Sequence, residues 1–218
     1  MILNVVEEPA QEPLTVTDAK LYLRVDDDTE DDMISAFITA AREWCEAYQN
    51  RAYITQTLEL VIDHFPHHIS EPFLFYDLPF LFSGERELYR HRHRHHNEIR
   101  LPMPPIQSVT SVAYTDETGA KTTVDPSTYI VDADSEPGRI VPASGQKWPL
   151  VRLQPINGVR VQYVAGYGTA DKVPKSVLQA MKMLIDHWYN NRSAVGSVGG
   201  EVAFAVKSLL AKQRIVNT

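Results

Sequence analysis

The strongest constraint on the fold is a change of period near residue 50. Between Ile34 and Tyr48 the apolar residues fall at Ile34, Phe37, Ile38, Ala41, Trp44, Cys45 and Tyr48. This three-and-four spacing, held for about four turns, predicts an amphipathic helix with a wide aromatic stripe. From Gln56 to Asp63 the pattern alternates instead, with Gln56, Leu58, Leu60 and Ile62 on one side and Thr57, Glu59, Val61 and Asp63 on the other. That is the signature of a strand.

β-like signals then continue from Ile99 to Tyr167, at Ser108 to Thr115, Lys121 to Val124, Tyr129 to Asp132, Gly138 to Val141 and Val159 to Val164, with a turn at Asp116 to Gly119. Eight prolines between Pro102 and Pro155 punctuate these runs, as expected of short strands joined by tight loops. Glycines 166 and 168 are not followed by the third glycine of a dinucleotide-binding fingerprint and are expected to turn the chain toward the next helix.

Helical spacing returns at Pro174, with Val177, Met181, Leu184, Ile185 and Trp188 on one face, and ends around Tyr189 to Asn191. The Gly- and Ser-rich stretch from Ser193 to Gly200 is expected to be a flexible joint, followed by a last helix carrying Phe204, Val206, Leu209 and Leu210. At the other end, Thr15 and Thr17 precede a two-turn helix, and Thr29 with Asp32 predicts a capping box at the start of the long helix. Trp44 and Trp188 are expected to meet in one helical core.

The fold class that follows is α+β. Residues 14–52 and 172–212 are expected to form a small discontinuous bundle of terminal helices. A β-rich domain over 53–171 is inserted between the second and third long helices, and 213–218 form a C-terminal tail. Residues 66–97, rich in aromatics and histidine, make a long excursion from the β-rich unit.

Composition excludes several functions. The formal net charge is −7, contrary to what a protein needs to wrap DNA through its phosphates, although an acidic surface can stand beside DNA and repel it. No run is long and apolar enough to span a membrane, and the first residues lack the regions of a signal peptide. A soluble protein made in a cytoplasm is therefore expected. Cys45 is the only cysteine, so there is no intrachain disulfide, and its place in an apolar stripe makes it a core thiol.

The chemistry-bearing segments point away from catalysis. His91, His93 and His95 would share one face of an extended strand and could offer imidazoles to a metal, with His64, His67 and His68 upstream. The intervening Arg92 and Arg94 would repel a dication, so a solvated loop without metal is expected. The acidic run from Asp26 to Asp32 lacks the central glycine and final glutamate of a calcium loop and suits the positive end of a helix. No serine lies in a Gly-x-Ser-x-Gly setting. No catalytic residue, metal or cofactor is expected.

A resemblance enters on an ordered series of segments. Leu14-Thr15-Val16-Thr17-Asp18-Ala19-Lys20-Leu21-Tyr22-Leu23-Arg24-Val25-Asp26, then an acidic gap and Met33-Ile34 opening a long helix, resembles the start of tailed-phage head-tail connector proteins. These are also called adaptor or head-completion proteins. The likeness continues through Arg51 to Thr57, Leu101 to Val109, Glu136 to Ile140, Val164 to Gly168 and His187 to Arg192, and covers most of residues 14–212. Such segments look like a longer branch of the family, with a β-rich insertion between the helices. Residues 66–97 depart from that pattern.

The resemblance implies a structural virion protein at the head-tail interface, made in the bacterial host. It implies a ring, usually of about twelve copies, beneath the portal protein and joined to the next tail-side connector or a tail terminator. DNA would pass through the lumen without sequence-specific binding. Expected contact residues are Phe204, Leu209, Leu210, Ile215 and Val216 of the tail and Phe73, Phe75, Tyr76, Phe80 and Phe82 of the excursion, with residues 201–218 expected to be loosely held. Two rival readings are a β-rich binding module of a tail or fibre and a metal-dependent enzyme using the histidines.

Overall fold

A computed structural model describes residues 1–66, 97–191 and 199–215, with side chains in the last stretch described from residue 204. Its elements are β1 (Ile2–Glu7), α1 (Val16–Leu23), α2 (Asp31–Gln49), β2 (Gln56–Ile62), β3 (Ile99–Leu101) and β4 (Ile106–Thr115). There follow β5 (Lys121–Thr123), β6 (Tyr129–Asp132), β7 (Gly138–Pro142), β8 (Val159–Ala165), α3 (Lys175–Asn190) and α4 (Gly199–Ala211). The class is α+β. The strands pair antiparallel in two sheets, ordered β1-β2-β8-β4-β5 and β3-β7-β6. A β-rich segment lies between α2 and α3, as the period change predicts.

The helix starts show where local rules compete. Thr15 is the N-cap of α1: its hydroxyl accepts from the Asp18 N–H at 3.0 Å, and the Asp18 carboxylate reaches back to Thr15. The box expected at Thr29 and Asp32 does not form. Asp27 instead takes both the Thr29 N–H and its hydroxyl, each at 2.9 Å, and α2 begins two residues later without a side-chain cap. The acidic run is answered by Lys20, whose ammonium contacts Asp28 and lies 2.8 Å from Asp31. Bonding to Asp28 and then Asp31 pushes that ammonium up to about 12.

Two apolar clusters result. The helical one centres on Ile34, Ile38, Ala41 and Cys45 of α2 and Val177, Ala180, Met181, Leu184 and Ile185 of α3. Burial pushes the Cys45 thiol up to about 12, leaving it an inert hydrophobe at neutral pH. Trp44 and Trp188 both pack against this cluster, but at its rim and half-buried. Trp188 lies against Phe37 with ring centroids 6.2 Å apart, and Trp44 stacks on Tyr48 at 5.6 Å. The stripe is wider than the cover, so its aromatic flank stays half open.

The second cluster lies on one face of the larger sheet. Directly paired residues share a face, and the row Leu60, Val161 and Val112 across β2, β8 and β4 is almost wholly buried. Ile99, Leu101 and Ile140 of the smaller sheet pack in the same cluster. Gly166 ends β8 at φ +118°, where a Cβ would sit 2.3 Å from the Ile54 carbonyl oxygen, so only glycine fits that crossing. It turns the chain back toward the helices, as expected.

Burial predicts the ranking of substitutions. Ile38→Ala at the centre of the helical cluster should cost about 2 to 5 kcal/mol in urea unfolding. Leu21→Ala on α1, where the side chain is 80% exposed, should cost under about 0.5 kcal/mol. Equal costs would contradict the packing described.

Candidate interaction surfaces

The end of α2 and the residues just after it build a polar junction. Glu46 is buried, and burial pushes its carboxyl up against the opposing pull of the Tyr53 N–H and Arg42. One oxygen accepts from Tyr53 N–H at 2.7 Å, and the other faces the Arg42 guanidinium at 2.9 Å. Arg42 also pairs with Glu12 at 2.8 Å. Gln49 accepts from the Tyr53 hydroxyl at 2.6 Å. A buried charge is tolerated only when its partners are in place, so these contacts fix the turn from α2 into β2.

The same turn holds the C-terminal segment. The Gln49 side-chain amide donates at 2.6 Å to the Leu210 carbonyl at the end of α4, which also accepts from the Gln213 N–H at 3.3 Å. Asn50 donates to the Ile215 carbonyl at 2.8 Å, and the Ile215 N–H returns to the Gln49 carbonyl at 2.9 Å. Arg51 donates from Nε to the Gln213 carbonyl and from its two terminal nitrogens to Glu136, between β6 and β7. One arginine thus ties the helical cluster, the tail and the smaller sheet together. Arg214 completes the contact by lying 4.8 Å above the Tyr48 ring.

For the described part of residues 201–218, these contacts correct the reading of the segment as loosely held. Leu210, expected in a contact surface, is fully buried with Val206 in the helical cluster, because α4 packs its apolar face on α2 and α3 of its own chain. Phe204 of α4 is 75% exposed, Leu209 37% exposed, and Ile215 is half-buried. Val216, Phe73, Phe75, Tyr76, Phe80 and Phe82 lie outside the described residues, as do His91, His93 and His95 and most of the expected joint. Among the described residues no group of three or more His, Cys, Asp or Glu is placed to hold a metal.

Sequence reasoning missed one exposed apolar element altogether. Among the described strands β1 forms the edge of the larger sheet, with every residue exposed, yet carries Ile2, Leu3, Val5 and Val6. Its apolar residues come in adjacent pairs on both faces, so neither period marks it. Further exposed apolar side chains are Ile130 and Val131 on β6 and Leu150, Val151 and Ile156 in the loop before β8.

Two predictions follow from the junction. Deleting residues 201–218 should lower the melting temperature by several degrees, since it uncovers the core beside Val206 and strips Gln49 and Arg51 of partners; unchanged melting would mean that α4 is not part of the core. The second concerns Glu136, which Arg51 holds below its ordinary value near 4.5. A carboxyl with a lowered folded value stabilises above its unfolded value and loses that contribution as pH falls through the folded one. The melting gap between the intact chain and Glu136→Gln should therefore close on acidification below about pH 4.5; a gap independent of pH would count against the pairing.

Comparison with known proteins places this architecture. None of the curated proteins compared with the chain matches it. Among solved structures, a chain from the neck of an empty GTA particle computed with C6 symmetry superposes with a TM-score of 0.74 at 21% identity, covering 100% of this chain and 97% of that one. A chain from the virion of a native gene transfer agent (GTA) particle gives 0.71 at 20% identity, and one from the neck of the native particle computed with C12 symmetry gives 0.68 at 20%; coverage is again 100% and 97% in both. At such identities the likeness establishes a shared fold. The model of the family described as head completion protein matches residues 12–213, nearly the whole chain and all its helices, and the chain therefore belongs to the head completion protein family.

Proposed function

We propose that the chain is a head-tail connector whose copies form a ring under the portal and join the DNA-filled head to the tail. The observation that carries this reading is the family match over residues 12–213, together with a fold shared end to end with chains of particle necks. The role is mechanical. Each copy must transmit load between neighbours without its two clusters shifting, which is what the junction at Glu46 to Arg51 provides. DNA passes through the lumen without sequence-specific binding, and the net charge of −7 suits a wall that phosphates slide past.

The distribution of exposed apolar residues supports assembly. Leu21 on α1, β1, β6, the loop around Leu150 and Phe204 on α4 lie on separate elements, more surfaces than one pairwise contact uses. A ring subunit needs two faces for its neighbours and further ones for the portal and the next tail-side protein. Phe204 and Leu209 of α4 are the residues assigned to those axial contacts, and the virion neck is the resulting location.

The test is electron microscopy of the full-length chain mixed with its portal protein. A ring of density capping the portal is expected, and Phe204→Asp should weaken its attachment by at least about tenfold with melting unchanged. Failure of the intact chain to bind the portal would overturn the assignment.

A further inference from the structure

Resting on the ring reading, we infer that neighbouring copies join edge to edge through the larger sheet, β1 of one copy adding to β5 of the next. The argument begins with rows of side chains. Leu3 pairs with Leu60 and Val5 with Leu58, so both lie on the face that carries the sheet's buried cluster. Along the first row, Leu60, Val161 and Val112 are at most 1% exposed, whereas Leu3 is 37% and Val5 49% exposed. Among the described residues, the core face runs on past its own cover. Free edges are normally blunted by lysine, proline, charge or a bulge; Ile2 to Val6 carries no charge or proline, and the register shift and the first charge come only at the strand's end, between Val5 and Glu7.

The opposite edge of the same sheet offers the complement. β5 is bonded to β4 alone among the described strands, and Thr122 pairs with Tyr114 on the core face. Beside it lies an open cleft of about 280 Å³ lined in part by Tyr114, Thr122, Val151 and Arg152. Val151, which lines it, and the adjacent Leu150 are exposed apolar side chains, while Asp116, Glu117 and Thr118 complete the lining. A strand laid along β5 with Leu3 and Val5 on the core face would bring both toward this cleft and continue the buried row from copy to copy.

Topology fixes the sense of the pairing. All four neighbouring pairs in the sheet are antiparallel, so β1 and β5, four steps apart, run in the same direction. One step of a twelve-copy ring turns a subunit by roughly 30°, so strand directions are nearly kept between neighbours. The new pair is therefore parallel, and the two unlike edges make a head-to-tail contact, as ring closure requires.

The test uses the full-length chain assembled on its portal, with Val5→Cys plus Thr122→Cys and, for the alternative register, Leu3→Cys plus Thr122→Cys. A short bis-maleimide should give a ladder of covalent multimers for at least one pair and none for any single substitution; the native Cys45 is fully buried. Intact rings without a ladder from either pair overturn the edge pairing while leaving the ring reading standing. Absence of rings from the unsubstituted chain overturns both. Val5→Glu, at an exposed position, should melt like the unsubstituted chain yet assemble at least tenfold less well, and normal assembly of that variant also overturns the pairing.

Discussion

The structure depends on the last turn of one helix. An α-helix leaves its final carbonyls unpaired, and a chain turning from helix into sheet must bury backbone there. Here Glu46 stays in the apolar interior because Arg42, Tyr53 N–H and Gln56 surround it. Replacing any one partner would leave a buried charge or amide without compensation, which is costlier than never having had the group. The same few residues then reach outward: Gln49 and Asn50 to the C-terminal segment, Arg51 to that segment and to Glu136.

That arrangement links the two clusters. Ala52 packs with the sheets while Tyr53 and Ile54 pack with the helices, so the backbone crosses between them within three residues. The sheet side is locked to the same turn by the Ala52 N–H to the Pro104 carbonyl and by the Tyr167 N–H to the Tyr53 carbonyl. Hydrogen bonds and apolar packing thus act on the same short segment. The outer surfaces, by contrast, are left apolar in several separate places.

Much of this was legible in the chain. The three-and-four spacing of Ile34 to Tyr48 and of Val177 to Trp188 located α2 and α3, because each helix buries one face and its period records which, and the β-like runs located β2 and β8, although β2 is buried on both faces. Where two local devices compete, reading by rule fails. Thr29 was as good a cap as Thr15 by sequence, but Asp27 lies close enough to capture its N–H. β1 escaped notice because an edge strand with no fully buried residue imposes no alternation on its sequence.

What the sequence by itself determined is the order of elements and the α+β class, since periodicity depends on which residues must leave water; the family likeness rests separately on the ordered series of segments from Leu14 to Arg192. What only the tertiary structure decided is the fate of individual apolar residues. Leu209 and Leu210 are neighbours of identical chemistry, yet one is 37% exposed and the other fully buried. The reason is geometric: about 100° of helical rotation separates them, and which side meets α2 and α3 is set by where those helices lie, a fact that no local pattern carries.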